Sequence, residues 1–323
     1  MPSVRLKQIA VYHPENSYTN EEVASSSPDR ERLLGMWAHL GRDNRYLADE
    51  QETTVTMAIE AAKKVLKAAN MSGEQLDLIT ISSGTHEYNI PTDAAFIHKA
   101  IGGKDQCAIY DQNANCAGMV VSYDQVSRAM LHNPKMKYAL IVGSEQVGNF
   151  YKPENLVHIG LSGDAACAVI LERVEEDGYG LIDSSYITHS ERPEDLVLPE
   201  HGFKNSKVIQ TRVSDSYKVD SMFAKAPAVI NDLLKDHDLT KDAITHYSIS
   251  QVLSTKIAYL AEALEEDSSK FTYVGNKYAY TGTTSPFLAL YHAIEDGKLK
   301  QGDHHIMWSV GAGFTSCGLL ARL

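Results

Sequence analysis

The chain has 323 residues, 43% of them hydrophobic, enough to bury a sizeable core in two domain-sized units or one duplicated one. Thirty basic against 42 acidic residues leave a formal charge of −12, which argues against non-specific nucleic-acid binding. No apolar run reaches the ~20 residues that span a bilayer, Met1-Pro2-Ser3 opens no signal-like run, and four scattered cysteines outline neither a metal site nor a disulfide framework. The expectation is a cytoplasmic protein that binds no metal, nucleic acid or membrane.

In chain order, residues 4–12 read as a strand, and 53–69 as an amphipathic helix with Val55, Ala58, Ala62, Val65 and Leu66 on one face. Ser72 resembles an N-cap with Gln75 as its capping-box partner, before a buried strand over 76–82. A helix is expected over 90–101 with Pro91 in its first turn. Strand-like 106–110, helix-like 117–132 and strand-like 138–145 follow, then strands over 165–173 and 179–189 that are expected to pair with each other. Residues 190–216 are polar and show no period.

The second half repeats the first. Residues 67–83 and 235–251 align without a gap at an offset of 168, caps on caps and strand on strand. Ile141-Val-Gly-Ser-Glu145 meets Ser309-Val-Gly-Ala-Gly313 at the same offset. Residues 271–280 and the helix 284–294 mirror the strand and helix on either side of Cys116. This implies two alternating β/α halves with nearly continuous apolar strands, 1–172 and 173–323.

Within the first half, between the strand-like run 106–110 and the helix-like run 117–132, Asp111-Gln-Asn-Ala-Asn-Cys116-Ala-Gly-Met119 stands out. A cysteine at a strand-to-helix turn sits where unpaired N–H groups and the helix dipole favour thiolate. The small residues after it let a bound acyl group approach the backbone. The alternative is a buried structural cysteine. Duplication brings the Cys116 turn opposite the segment 280–284, with the loops after Ser250 and Gly311 converging on one crevice.

Four segments, Asn115-Cys-Ala-Gly-Met119, Val142-Gly-Ser-Glu145, Ser162-Gly-Asp-Ala-Ala-Cys-Ala-Val-Ile170 and Val310-Gly-Ala-Gly-Phe-Thr-Ser316, resemble the thiolase-fold condensing enzymes. The likeness is greatest to the β-ketoacyl-acyl-carrier-protein synthase III group. It implies a five-layered α/β/α/β/α fold and Cys116 as the nucleophile that takes an acyl group as a thioester. It also implies an oxyanion hole from the N–H groups of Cys116 and Ala312. By the same likeness Ser250 falls at the family's histidine position and Tyr280 at its asparagine position, while Trp37, Asn149 and Lys256 fall along the CoA tunnel.

A serine hydroxyl cannot act as imidazole does near neutral pH, and tyrosine fills space that asparagine leaves for a malonyl group. The resemblance therefore implies an acyltransferase of specialised metabolism. It would load Cys116 from acyl-CoA or an acyl carrier protein, with acyl-phosphopantetheine as substrate and no permanent cofactor. The acceptor would need no decarboxylation. Two alternatives stand beside it: decarboxylative condensation with a malonyl thioester, and a non-catalytic subunit of a heteromeric condensing complex. Pairing through residues 107–110 and the Ile90 region is expected in each case, as a homodimer or with a homologous subunit. His246 stands four residues before Ser250, ~13 Å along a strand, and the sequence places none of His158, His201, His292, His304 and His305 near Cys116.

Overall fold

The computed structural model describes residues 2–323. Nine principal strands fall into two groups. The first holds β1 (Ser3–Tyr12), β2 (Leu78–Ser82), β3 (Ala108–Gln112), β4 (Tyr138–Glu145) and β5 (Ala165–Val174). The second holds β6 (Gly180–Thr188), β7 (Ile244–Ile249), β8 (His304–Gly311) and β9 (Thr315–Arg322). The first runs in the order β3-β2-β4-β5-β1, with β3, β2 and β4 parallel and the others antiparallel to their neighbours. The second runs β7-β8-β9-β6, with β7 and β8 parallel and the rest antiparallel. They join into one continuous sheet where β1 meets β6 at a single parallel pair, Val4 with Gly180. A Cβ on Gly180 would stand 1.6 Å from the Val4 carbonyl oxygen, so only glycine admits this junction.

The main helices are α1 (Arg30–His39), α2 (Thr54–Ala68), α3 (Asp93–Ala100), α4 (Gly118–His132), α5 (Leu156–Leu161), α6 (Ala226–Asp236), α7 (Ser254–Ala263) and α8 (Ser285–Glu295). Side-chain alternation along the strands assigns them to layers. On β5, Ala166, Ala168 and Ile170 pack with Met57, Ala61 and Val65 of α2, whereas Cys167, Val169 and Leu171 face α4 and α8. On β8, Met307 joins that same central layer, while Ile306, Trp308 and Val310 pack against α6 and α7. Strands buried on both faces explain the unbroken apolar runs. The result is five layers: α2 and α3, the first strand group, α4 and α8, the second strand group, α6 and α7. No helix among the described residues is long and apolar enough to cross a membrane.

The repeat is visible in the backbone itself. Asn70 and Asp238, 168 residues apart, both take φ of 52° after their helices. Single-turn helices at Gly73–Gln75 and Lys241–Ala243 follow at the same offset. Ile79 pairs with Ile109 in the first half, and its counterpart Tyr247 bridges Phe271 in the second.

Four expectations change. The strand over 179–189 does not pair with β5, because β1 and β4 already occupy both edges of β5; β6 pairs with β9 instead. The helix expected from residue 90 begins at Asp93 and leaves Pro91 outside. There the Asp111 carboxylate accepts the N–H groups of Asp93 and Ala94, and the Asp93 carboxylate accepts those of Glu87 and Tyr88, which holds 87–92 as a loop. In residues 271–280 the mirrored strand shrinks to the Phe271 bridge, followed by a short helix, Gly275–Tyr278. The boundary expected at 172/173 falls inside β5, and the chain changes strand group in the turn 175–179.

Candidate active site

A tight turn, Asn115–Ala117, joins β3 to α4 and presents Cys116. Asn115 takes a left-handed φ of 51°, which asparagine tolerates better than most residues. The second half closes on this turn from behind. Ser309 Oγ donates to the Cys116 carbonyl at 2.6 Å, and Asn115 Nδ2 donates to the Ala312 carbonyl at 3.3 Å. The Met119 N–H, in the first turn of α4, donates to Thr283 Oγ1 at 2.7 Å. A Cβ on Gly311 would lie 2.8 Å from the Ala114 carbonyl oxygen and 3.4 Å from the Cys116 nitrogen. The loop after β8 therefore lies directly on the Cys116 turn.

A lowered thiol pKa is the sequence expectation, and the structure reverses it. Burial, reinforced by Glu145, pushes Cys116 up to about 12. Even at the ~2 kcal/mol a partly buried helix terminus can contribute, it falls short of the ~4 kcal/mol of about three pKa units, so it does not offset the desolvation. Cys116 also precedes Gly118, the first residue of α4, rather than lying inside its first turn.

Glu145 is itself buried. It accepts from the Gly84 N–H at 3.0 Å, Thr85 Oγ1 at 2.8 Å and the Thr283 N–H at 3.4 Å, and burial raises its pKa despite these donors. The close approach of Gly282, whose Cβ would stand 2.7 Å from Glu145 Cγ, locks the acid between the halves.

The Tyr280 hydroxyl adjoins the Cys116 sulfur and favours its thiolate, while burial holds the phenol itself well above its ordinary pKa. Ser250 lies behind Tyr280, and its buried Oγ makes no well-formed hydrogen bond of its own. Ser250 influences Tyr280 by proximity rather than through a fixed donor geometry.

Cys116 opens onto a cavity of about 500 Å³. Leu196, Leu198, Val213, Met222, Phe223 and Val252 supply much of its apolar wall. The polar stretch 190–216, which shows no period in the sequence, folds over it as a strap held by the paired segments Leu196–Val197 and Arg212–Val213. Tyr151 and Tyr217 also line the cavity within electrostatic reach of Cys116, and burial raises both phenols. His158 lines it too, its ring stacked on Tyr151 at 5.1 Å. The carboxylates along the wall are Glu145 and Asp215; no lysine or arginine is among the described lining residues.

This layout matches the 3-oxoacyl-acyl-carrier-protein synthase III model over residues 110–190 and the C-terminal model of the same family over 234–323, together more than half the chain. The chain belongs to the 3-oxoacyl-acyl-carrier-protein synthase III family. The β-ketoacyl-acyl-carrier-protein synthase III of Actinobacillus pleuropneumoniae is 28% identical over 313 residues, 96% of each chain. The crystal structure of the 3-oxoacyl-acyl-carrier-protein synthase III from Aquifex aeolicus superimposes with a TM-score of 0.86 at 26% identity, covering 99% of this chain and 100% of that one. The Pseudomonas aeruginosa structure of that name has the same fold, with a TM-score of 0.89 at 20% identity over 99% and 98% of the two chains. The thiolase-like fold is thus shown.

Within this family frame, Cys116, Tyr280 and Ala312 meet at one cavity, with Ser250 behind. The three tunnel positions do not join them. Trp37 is wholly buried, its Nε1 donating to the Val157 carbonyl at 3.3 Å and its indole pressed so closely on Gly160 that a Cβ there would lie 2.1 Å away. Asn149 is exposed on the turn Gly148–Phe150, outside the cavity wall. Lys256 pairs with Asp220 at 2.6 Å rather than facing the cavity. A tryptophan in a polar stretch and a lysine in a first helical turn read alike in sequence whether buried, paired or free.

Sequence reasoning gave Glu145 no place in the site although its segment Val142–Glu145 stood out, and it missed Tyr151, Tyr217 and the placement of His158, which carry no local signal. It also missed His86, Asp93 and Asp111, whose ligand-type atoms lie within 4.8 Å of one another. Their carboxylate oxygens already accept backbone N–H groups, so this cluster clamps α3 to β3.

Proposed function

We propose that the protein takes an acyl group from acyl-CoA or an acyl carrier protein onto Cys116 and passes it to an alcohol, amine, thiol or activated ring carbon without decarboxylation. The supporting observation is the pairing of an assembled nucleophile turn with a facing group that is a phenol, Tyr280, backed by Ser250. In this reading Cys116 is the nucleophile. Its own N–H and that of Ala312 hold the thioester oxygen as charge develops on it, and Tyr280 donates to the sulfur. The buried thiol releases its proton only as the thioester enters. That keeps the empty site unreactive.

Decarboxylation asks for more. The enolate left by a malonyl group needs side-chain donors, and losing one such donor costs ~2.7–4 kcal/mol, about 10²–10³ in rate. The relatives' name, β-ketoacyl-acyl-carrier-protein synthase III, favours decarboxylative condensation as the second reading, with the phenols as substitute donors. Pairing would use the free edge of β3, where Ile109 and the nearby Tyr88 and Ile90 are exposed.

Mass spectrometry after incubation with acyl-CoAs of several lengths, followed by malonyl-carrier protein with CO₂ detection, separates the readings. The expected outcome is an adduct that Cys116→Ala abolishes, with little CO₂. Brisk CO₂ release selects the second reading, and no adduct sinks both.

A further inference from the structure

Resting on that reading, we propose that His158 is the general base that takes the acceptor's proton as the acyl group leaves Cys116, and that the acceptor is an amine or alcohol without a carboxylate.

The imidazole is held as a base in one defined tautomer. Asn155 caps α5, and its Oδ1 accepts the His158 backbone N–H at 3.4 Å, which fixes the amide oxygen toward the ring. That same oxygen lies 2.9 Å from His158 Nδ1, so Nδ1 carries the hydrogen. Stacking on Tyr151, whose phenol lies within electrostatic reach of Cys116, sets the ring plane. Nε2 is left as a bare acceptor with no partner among the described residues, on a side chain that lines the cavity. His158 is the only histidine among the described lining residues.

Its surroundings keep it neutral. Burial lowers its pKa. The faces of α1 and of Asn20–Ala24 that pack on α5 are apolar, with Ala24, Leu33 and Trp37. The charged or titratable groups nearby are Tyr151, the buried Arg45, which donates to the Gly160 carbonyl at 2.8 Å, and, across the cavity, Cys116, Glu145, Asp215, Tyr217 and Tyr280. Without a lysine or arginine on the wall, nothing cationic there holds an acceptor's carboxylate.

The step balances without a further reactant. The acceptor nitrogen or oxygen bonds to the thioester carbon, its proton moves to Nε2, and the carbon–sulfur bond breaks. The Cys116 sulfur leaves as thiolate and recovers that proton, so both His158 and Cys116 end in their starting forms.

The test is a single turnover. Full-length protein is acylated on Cys116 with an acyl-CoA, freed of excess, and exposed to glycinamide from pH 5 to 8 while the adduct is followed by intact mass. Expressed per free amine, since the glycinamide amine itself titrates near ~8, the expected release rate falls as the pH drops below the ordinary imidazole range, with a drop of about 10²-fold and loss of that inflection in His158→Gln. In His158→Ala, added imidazole should restore part of the rate, which a packing role would not predict. Asn155→Ala should weaken release less, through loss of ring orientation. Equal rates and the same inflection in His158→Gln and the unmodified protein overturn the assignment while leaving the acyltransferase reading intact. Absence of any adduct on unmodified Cys116 overturns both.

Discussion

The Cys116 turn and its counterpart in the second half share a backbone and differ in chemistry. In the first half Asn115, with φ of 51°, precedes Cys116; in the second Gly282, with φ of 57°, precedes Thr283. Cys116 faces a cavity, whereas Thr283 Oγ1 accepts the N–H of Met119 and so caps the first half's helix. The contrast extends to the strand ends. Ser82 exchanges a hydrogen bond with Ser122 at 2.6 Å, while its counterpart Ser250 has a buried hydroxyl without a formed bond, beside Tyr280. Glu145 stands where the second half has Gly313. Duplication supplied two equal frames, and one now caps the helix of the other and braces its Cys116 turn. Asymmetry between equivalent positions is therefore the guide to function here.

The largest expected effect concerns Cys116 against its helix terminus. A thiol pushed from 9.0 to about 12 has, near neutral pH, about 10³-fold less thiolate than an unperturbed one. Alkylation of Cys116 by iodoacetamide should climb about tenfold per pH unit from 7 to 10 without levelling. A plateau below pH 9 would mean that the turn's N–H groups outweigh burial after all.

A second contrast is buried histidine against leucine. His246 occupies the position equivalent to Leu78, donating to or accepting from Thr272 Oγ1 at 2.9 Å, and burial drives it down to about 3. Burial likewise lowers His305, its neighbour on β8, to about 4. Both must be neutral in the folded state, so their stabilising share is full above the unfolded value of ~6.5 and is lost as pH falls toward the folded values. Denaturant unfolding at pH 5 against pH 8 should show a loss of about 2 kcal/mol for each histidine. His246→Leu, which copies the first half, should remove about half of that dependence. An unchanged pH profile in the variant would show that His246 does not titrate with folding.

The smallest effect tests how the second half aims Tyr280. Ala279 sits at φ 56° and ψ −151°, a region that glycine occupies with far less strain. Ala279→Gly should raise stability by about 1 kcal/mol, the relieved strain being partly offset by unfolded-state entropy. A destabilised variant would show that the methyl group's packing exceeds its strain.

From the sequence alone, much of the frame was legible: strands buried on both faces, amphipathic helices, two matching halves, and a cysteine between β3 and α4 with small residues after it. These signals survive because periodicity, caps and left-handed turns are local, and both halves had to keep them to stack. Only the tertiary structure decided that β6 leaves β5 for β9, since edge occupancy is a property of the whole sheet. It alone buried Trp37, paired Lys256 with Asp220 and folded the strap over the cavity. The sign of the Cys116 shift belongs with these. A helix terminus is written in a few adjacent residues, but the burial that outweighs it comes from a wall gathered from distant parts of the chain, with the Glu145 charge added to it and the Tyr280 hydroxyl working against it.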